Sequence, residues 1–458
     1  MNKLVFFDDF MVWGTSGMRR RAFAPKQLPE LSFQRPGGTG GRLFYCPDTG
    51  NYRMLYDLLP DITNDWGRMP VYEESTDLVH WIKPDDASQP DRLPSVCMMI
   101  DGHDPDPSRR YKCIYFNYKD PKNAPGNIAF SPDGVHWAKD ESHPFCQHAS
   151  DTFNNLFYNE SLGEYQLIMR PNHMDRRITC IRSKDLKEWS QPEIMLTPDP
   201  FDEPFSEYYG MLVLPLEGYF LGMLWVFYTD PDDFIGNKMA GKVDSYLTYS
   251  YDGLHWNKAS RLPVTERPMP PEFGSTCLYM HLPQPGRTEN EWLISALGGR
   301  IDHAAGFTPA YPDSKIPEYA QQHGRSATNL YSIRKEGFAG LESVGYQARV
   351  TLKAVQITGE NLSFNLCAPC GQARFQLSKL PGQPYEGFAF ENSMPFCGDE
   401  ISCSPSWQGH TLSELKGERV FIELQLNSAI LFSVQGDFNV HHALQPQSSL
   451  GDARILPE

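Results

Sequence analysis

Three acidic residues share one position relative to the β-strands that the sequence predicts. Asp151 stands at the start of "ASDTFNNLFY", Glu207 at the start of "FSEYYGMLVL" and Glu272 at the start of "PPEFGSTCLY". Each precedes a run of apolar and aromatic residues that is typical of a strand. If the three strands occupy equivalent places in repeated sheets, their carboxylates converge on one cavity. The alternative is that each acid only caps a turn at the start of its own strand.

Converging carboxylates can carry out acid–base and nucleophilic chemistry on a sugar. In glycosidic bond cleavage one carboxyl group protonates the leaving oxygen, and a second attacks the anomeric carbon or activates a water molecule. A third can stabilise the positive charge of the transition state or raise the pKa of its neighbour. The sequence therefore predicts Asp151, Glu207 and Glu272 as candidate catalytic residues.

Three further polar residues are candidate substrate-binding groups. Arg170 ends the predicted strand "EYQLIMR" and is suited to bind a hydroxyl or a carboxylate. His303 lies in "GGRIDHAAG", and Asp101 lies near the start of an earlier predicted sheet. Each of these residues is equally compatible with a surface or turn position.

A repeated motif indicates the scaffold that would position these side chains. The frame S-x-D-x-x-x-W occurs four times, with its aspartate at Asp77, Asp133, Asp185 and Asp252, at intervals of 56, 52 and 67 residues. A short motif recurring at such intervals is typical of the four-stranded blades of a β-propeller. We expect the Ser and Asp side chains to bond to backbone N–H groups of a hairpin, and the Trp to pack on the adjoining blade. A sugar-binding role for the tryptophans is the alternative.

Strand pairs predicted between the motifs, together with a fifth unit near residues 276–299, make five blades around a narrow funnel. The early strand "KLVFFDD" is predicted to complete the last blade and close the ring. After residue 340 the pattern changes: in "RVFIELQLNSAILFSV", apolar residues alternate with others at a period of two. The fold prediction is therefore all-β, with a five-bladed β-propeller over residues 1–340 and a β-sandwich over 341–458.

Composition and charge exclude several classes of function. The chain of 458 residues is 40% hydrophobic and 13% aromatic, which is typical of a globular protein large enough for two domains. Its net charge of −16 argues against nucleic acid and anionic membranes as partners. The N-terminus lacks the features of a secretory signal, and no apolar run is long enough to span a bilayer. We expect a cytoplasmic protein whose partner is a small carbohydrate.

Cysteines and cofactor motifs add little chemistry. Ten cysteines in a chain without a secretory signal favour reduced thiols over disulfides. The group Cys367, Cys370, Cys397 and Cys403 could form a zinc site, but the spacing of its second pair is unusual for one. No nucleotide-binding, zincin or α/β-hydrolase motif occurs. We therefore expect no cofactor and no metal.

The order of several short motifs resembles a known group of enzymes. The segments "DPDPSRRYK", "SDTFNN", "YYGMLVLPLEGYFLG" and "SIRKEGFAGL", followed by "GDEISCSPSW" and "LKGERVFIEL", are similar to the five-bladed β-propeller glycoside hydrolases related to families 32 and 43. The resemblance extends along almost the whole chain. It implies a funnel with an aspartate nucleophile or base, a stabilising acid and a glutamate proton donor, matched in order by Asp151, Glu207 and Glu272. The "WMNDPNG" and "RDP" signatures of fructosidases are absent.

Two other functions remain open from the sequence. A glycoside phosphorylase would replace one carboxylate by a basic phosphate site, for which "RRRAF" and "DRRITC" supply arginines. A non-catalytic propeller would bind a sugar or a protein and would function without the acids. The primary prediction is a glycoside hydrolase acting on a small oligosaccharide or glycoside.

Overall fold

The protein consists of two all-β units. The computed structural model describes residues 2–35, 41–58, 69–84, 98–116, 125–146, 153–170, 176–231, 239–305 and 312–440. One unit, Phe23–Phe338, is a five-bladed β-propeller, and the other, which joins Met1–Ala22 to Ala339–Glu458, is a β-sandwich. The predicted fold class is confirmed. The N-terminal strands β1 (Asn2–Val5), β2 (Val12–Ser16) and β3 (Met18–Ala22) belong to the sandwich.

Each propeller blade is an antiparallel sheet whose strands mostly follow one another along the chain. The short strand β4 (Lys26–Gln27) precedes the first blade. The blades contain these strands: in blade 1, β5 (Arg42–Cys46), β6 (Asn51–Leu58) and β7 (Met69–Ser75); in blade 2, β8 (Met98–Ile100), β9 (Tyr111–Phe116), β10 (Gly126–Ser131) and β11 (Ala138–Asp140); in blade 3, β12 (Asn155–Asn159), β13 (Glu164–Met169), β14 (Ile178–Ser183) and β15 (Glu193–Leu196); in blade 4, β16 (Ser206–Leu216), β17 (Tyr219–Thr229), β18 (Gly241–Ser250) and β19 (Asn257–Lys258); in blade 5, β20 (Cys277–Met280), β21 (Gln284–Pro285), β22 (Glu291–Gly299) and β23 (Ser326–Arg334).

The ring closes through a segment near the N-terminus of the propeller. In blade 5 the outermost strand is β4, which pairs with β23 at Gln27 and Tyr331, so the first and last parts of the unit share one sheet. The prediction that "KLVFFDD" performs this closure is wrong, because β1 from that segment pairs with a strand of the sandwich instead. One short helix, α1 (Glu318–His323), lies between β22 and β23.

The repeated motif forms the hairpin after the third strand of blades 1 to 4, as predicted. In blade 2, Ser131 Oγ accepts hydrogen bonds from the N–H groups of Asp133 and Gly134, and Asp133 Oδ1 accepts from Val135 and His136. The residue after the aspartate adopts a positive φ in all four copies: Leu78, Gly134, Leu186 and Gly253. The motif therefore fixes a tight turn even where glycine is absent.

The motif tryptophans pack on the preceding blade, which also confirms the prediction. Trp137 of blade 2 packs against a cluster that includes Phe44 and Leu55 of blade 1. Trp189 contacts Phe145 of blade 2 edge-on, with ring centroids 6.0 Å apart. The tryptophans are thus part of the seams between blades, and burial of their rings stabilises the ring of sheets.

The sandwich is built from β1 to β3 together with strands near the C-terminus. Val420, Ile422, Leu424 and Leu426 are fully buried in its core, as their alternation predicts. Residues 1–22 belong to the sandwich unit, and the later division falls after Phe338, close to the expected boundary at residue 340. Its later strands are β24 (Ala339–Ser343), β25 (Ala348–Leu352), β26 (Val355–Leu380), β27 (Gln383–Pro384), β28 (Phe396–Cys403), β29 (Arg419–Asn427) and β30 (Ile430–Val440).

Candidate active site at one end of the propeller

Propeller topology places several strand ends at the same end of the ring. The first strands of the blades run in one direction and the second strands run back, so the starts of first and third strands lie beside the ends of second strands. We call the end where β16 starts the upper end. The repeat hairpins, which follow third strands, lie at the opposite, lower end. Glu207 at the start of β16, Arg170 after β13 and His303 after β22 therefore share the upper end.

Glu207 is a buried carboxylate held by a residue of the neighbouring blade. Its residue exposure is 3%. Arg176, which precedes β14 of blade 3, donates a hydrogen bond from Nη1 to Glu207 Oε2, and Thr229 Oγ1 lies 3.4 Å from the same oxygen. The ion pair offsets the cost of removing the carboxylate from water. Arg176 also lies over the ring of Phe227, with Cζ 4.9 Å from the centroid.

A β-bulge next to Glu207 redirects the following side chain. In the pairing of β16 with β17, Tyr208 faces Val226 and Gly210 faces Trp225, so Tyr209 is an extra residue without a partner in the register. Bulges of this kind change the direction of a side chain and are frequent beside active sites. The ring of Tyr209 lies 4.9 Å from Arg170 Cζ and 5.8 Å from Arg176 Cζ.

Tyr209 also joins His303 to this group. Tyr209 Oη and His303 Nε2 are 3.1 Å apart, and His303 Nδ1 is 2.6 Å from the carbonyl oxygen of Met239. Because a carbonyl only accepts, Nδ1 carries a proton and donates it to the Met239 carbonyl. The structure thus brings together three of the predicted site residues, Glu207, Arg170 and His303, around a tyrosine that the sequence did not single out.

The two other predicted catalytic acids are Asp151 and Glu272, and the structure describes only the second of them. Asp151 lies outside the described residues. Glu272 is exposed and lies in a turn, where its N–H donates to the Met269 carbonyl at 3.1 Å. Its carboxylate forms no hydrogen bond or ion pair with the part of the chain that the structure describes. Glu272 is therefore available to solvent, and its catalytic role stays a prediction.

Asp101 is not placed as the sequence predicted. It follows the end of β8 rather than its start, so it lies at the lower end, and it is only 1% exposed. Lys112 Nζ and Tyr165 Oη both lie 2.6 Å from its Oδ2, and the His103 N–H donates to its Oδ1. Because both oxygens of the carboxylate are bound by protein groups, Asp101 connects blades 2 and 3 instead of binding a substrate.

A second pair of carboxylates near the upper end was missed by the sequence analysis. Burial raises the pKa of Asp302, which directly precedes His303, and the charge of Asp230 raises it further while Lys242 opposes the shift. Burial also raises the pKa of Asp244, against the opposing effect of Arg267, whose Nε lies 2.9 Å from Asp244 Oδ1. A carboxyl group that keeps its proton to higher pH is suited to act as a general acid. Asp302 was present in the "GGRIDHAAG" segment, but a single sequence carries no signal for its burial.

Aromatic and imidazole side chains of three blades meet near the ring axis. Phe153 of blade 3 contacts Trp225 of blade 4 with centroids 4.9 Å apart, and lies 6.0 Å from His281 of blade 5. His281 is 2% exposed, and its Nδ1 lies 2.9 Å from Ser295 Oγ. Burial, together with the charge of Arg42, lowers the pKa of His281 to about 3. The contacts among these three side chains are therefore made by uncharged groups.

Neither a metal site nor a membrane segment is found in the described part of the chain. Its residues contain no group of three or more His, Cys, Asp or Glu side chains placed to hold a metal ion. Of the four cysteines considered for zinc, Cys403 is buried, and burial raises its pKa to about 12, whereas Cys370 and Cys397 are exposed. None of the helices described has the length and apolar character needed to cross a lipid bilayer.

No family model matches the sequence, and no curated protein matches it. Solved structures that resemble the fold include an N-acetylgalactosamine deacetylase from F. plautii in complex with blood group B trisaccharide. It is 13% identical, with a TM-score of 0.45 over 70% of this chain and 97% of that one.

Two glycoside hydrolases show a comparable likeness. A thermostable family-43 glycoside hydrolase is 13% identical, with a TM-score of 0.43 over 66% of this chain and 92% of its own. A fructofuranosidase from Schwanniomyces occidentalis complexed with fructose is also 13% identical, with a TM-score of 0.41 over 92% of this chain and 98% of its own.

Proposed function

We propose that the protein is a glycoside hydrolase whose active site lies at the upper end of the propeller. The observation that carries the proposal is the buried Glu207 carboxylate, bound by Arg176 and followed by the bulged Tyr209. Buried carboxylates that are held by a specific charged partner cluster at functional sites. The expected cytoplasmic location favours a short oligosaccharide or glycoside as substrate.

The roles of the acids follow from their surroundings. Glu207, as the ion-pair partner of Arg176, presents fixed negative charge and is suited to stabilise an oxocarbenium-like transition state. Asp151 is proposed as the nucleophile or general base. Glu272 is proposed as the proton donor, and Asp302 is the second candidate for this role because its pKa is raised.

Side chains around Tyr209 are proposed to bind the sugar. Arg170 lies over the Tyr209 ring, and its N–H groups are suited to sugar hydroxyls. His303, whose two ring nitrogens lie within bonding distance of Tyr209 and Met239, would hold the Tyr209 hydroxyl in place beside the sugar. The His303 ring is fixed by its bond to the Met239 carbonyl, so it presents a defined tautomer. A fixed polar group loses little entropy on binding, which favours specificity.

The test is a screen of the purified protein against aryl glycosides and short oligosaccharides. For the substrate that is turned over, Asp151→Asn and Glu207→Gln are expected to lower turnover by at least about 100-fold. The exposed Glu289→Gln is the matched control and should retain full turnover. Unchanged turnover in Glu207→Gln would overturn the catalytic role given to that acid, whereas the absence of turnover on every glycoside would favour a non-catalytic binding protein.

A phosphorylase is separated from a hydrolase by repeating the assay with inorganic phosphate. Of the arginines considered for a phosphate site, Arg19 and Arg21 belong to the sandwich, where both bind Glu342. Arg176 remains near Glu207, so phosphate dependence together with its loss in Arg176→Met would identify the phosphorylase.

A further inference from the structure

A cavity lies at the lower end of the ring, at the seam between blades 5 and 1. Its volume is about 340 Å³. One wall is formed by Tyr45 and Tyr52 of blade 1, a second by Thr76 and Asp77 of the blade 1 repeat hairpin, and a third by the turn at Arg287 of blade 5. A volume of this size falls at the small end of the range of roughly 300–1,000 Å³ that ligand sites occupy.

At two other seams a side chain of one blade donates to the backbone of the next blade's repeat hairpin. Between blades 1 and 2, Arg53 Nη1 donates to the carbonyl of the motif residue Asp133 at 2.9 Å. Between blades 3 and 4, Asn159 Nδ2 donates to the carbonyl of Asp252 at 2.8 Å, and also to Gln166 at 3.1 Å. Arg53 and Gln166 are the third residues of their second strands. The third residue of β22 in blade 5 is Leu293, which is buried and has no donor to reach Asp77.

Hydrogen bonds across the seam hold the cavity open. Tyr52 Oη lies 3.1 Å from the carbonyl oxygen of Pro285 and 2.9 Å from that of Gly286. The N–H of Tyr45 donates to Gln284 Oε1 at 3.0 Å. The two blades are therefore joined behind the cavity, and a ligand would enter a site that is already formed, which reduces the entropy cost of binding.

The charged groups of the cavity are compensated by the protein itself. Arg287 binds Glu291 through Nε at 3.0 Å and Nη2 at 2.6 Å. The Asp77 carboxylate accepts from the N–H groups of Val79 and His80 and from the Ser75 hydroxyl, and pairs with the His80 ring. An anion would compete with Glu291, and a cation would compete with four donors on Asp77. The lining thus favours a neutral ligand.

Two hydroxyl groups in the cavity have no partner among the described residues. They are Tyr45 Oη and Thr76 Oγ1. The half-buried Tyr45 ring is tilted by 59° against Tyr52, with centroids 5.3 Å apart. An aromatic ring beside hydroxyls that have no partner among the described residues suits a molecule with one C–H face and a rim of hydroxyl groups.

We propose that this cavity is a second, non-catalytic binding site for a neutral sugar ring of an oligosaccharide. The site lies at the opposite end of the ring from Glu207 and does not depend on the hydrolase proposal. It would retain a carbohydrate on the propeller without placing it at the acids. The occupant is neutral because no uncompensated charge faces the cavity, and small because the space holds one or two sugar rings.

The test is calorimetric titration with cellotriose and xylotriose as neutral probes and trigalacturonic acid as the charged one. Thr76→Trp fills the cavity from its exposed rim without removing any packed group, and Val79→Trp on the same hairpin, outside the cavity, is its matched control. We expect millimolar binding of a neutral probe, weakened at least about tenfold by Thr76→Trp and by Tyr45→Phe, and unchanged in Val79→Trp.

Three results would overturn the proposal: no binding of either neutral probe, identical titrations of Thr76→Trp and the unaltered protein, or tighter binding of trigalacturonic acid. Titration of Glu207→Gln keeps the two proposals apart, because binding at the seam should be unchanged there. Turnover of an aryl glycoside, in turn, should be unaffected by Thr76→Trp.

Discussion

Arg176 and Glu207 form an ion pair that joins blade 3 to blade 4 at the upper end of the propeller. Arg176 precedes the third strand of its blade, and Glu207 begins the first strand of the next. The two residues are 31 positions apart in the sequence, so their contact depends on the packing of blade 3 against blade 4. The pair therefore links the stability of the seam to the geometry of the candidate active site.

The first prediction concerns the energy of this pair. Glu207→Leu leaves the guanidinium of Arg176 largely buried without its carboxylate, and we expect a loss of about 3 kcal/mol in the free energy of unfolding. The double variant Arg176→Met, Glu207→Leu should lose clearly less than the sum of the two single variants. Urea denaturation of the four proteins in a double-mutant cycle measures the coupling. Additive losses would show that the two side chains do not interact in solution.

A second prediction separates structure from binding at Asp101. The ammonium group of Lys112 has no exposure, so Asp101→Ala leaves it with Asp104, at 3.1 Å, as its remaining carboxylate partner. We expect a loss of about 3–5 kcal/mol in the free energy of unfolding. Turnover per folded molecule should stay unchanged, because the carboxylate lies at the end opposite to Glu207. A stable Asp101→Ala protein with impaired substrate binding would restore the role that the sequence suggested.

The sequence was sufficient to predict the architecture because four of the five blades repeat the same local signal. Ser131 and Asp133 close their hairpin with bonds that span only a few residues, so the motif specifies the turn without tertiary context. The motifs mark four of the five blades, and the fifth was predicted from its strand pattern alone. Glu207 lies at the start of β16, the strand that its segment predicted.

The contacts that complete the site could not be predicted in this way. The bulge at Tyr209 depends on the pairing of β16 with β17, and a one-residue irregularity leaves no pattern in an alternating apolar strand. The apolar segment of β1 fits a propeller edge and a sandwich edge equally well, and only tertiary pairing with β30 selects the latter. The sequence analysis assigned Asp101 to the wrong end of its blade. Its partner Lys112 lies in the next strand, and the charge of a residue does not show in which direction its side chain points.

A third prediction tests how the motif turns lock neighbouring blades. Gly253 has a φ of +78°, and a Cβ there would lie 2.6 Å from Asn159 Nδ2 and 2.9 Å from Gln166 Oε1. Gly253→Ala should therefore disrupt the bond from Asn159 to the Asp252 carbonyl as well as strain the backbone, at a cost of about 2–3 kcal/mol.

Gly50→Ala is the matched control for this substitution. Its φ is +72°, but a Cβ there would meet nothing within 4 Å. Gly50→Ala should lower the free energy of unfolding by only about 1 kcal/mol, the cost of placing a Cβ on a backbone with positive φ. Thermal unfolding of the two variants gives the difference, and equal losses would mean that the side-chain bonds across the seam contribute nothing.

The last prediction uses the buried His281. Its pKa falls to about 3 in the folded protein from an ordinary value of 6.5, mainly because burial disfavours the imidazolium. Between these two values the unfolded chain binds a proton that the folded protein does not, so stability is lost as the pH falls below about 6.5. At pH 5 the loss relative to pH 7 should be about 2 kcal/mol. His281→Gln can still bond to Ser295 and has no charge to gain, so its unfolding free energy should change less over the same range. Urea denaturation of both proteins from pH 7 to pH 5 measures the difference. If the unfolding free energies of the two proteins change in parallel with pH, His281 is protonated in the folded protein as readily as in the unfolded chain.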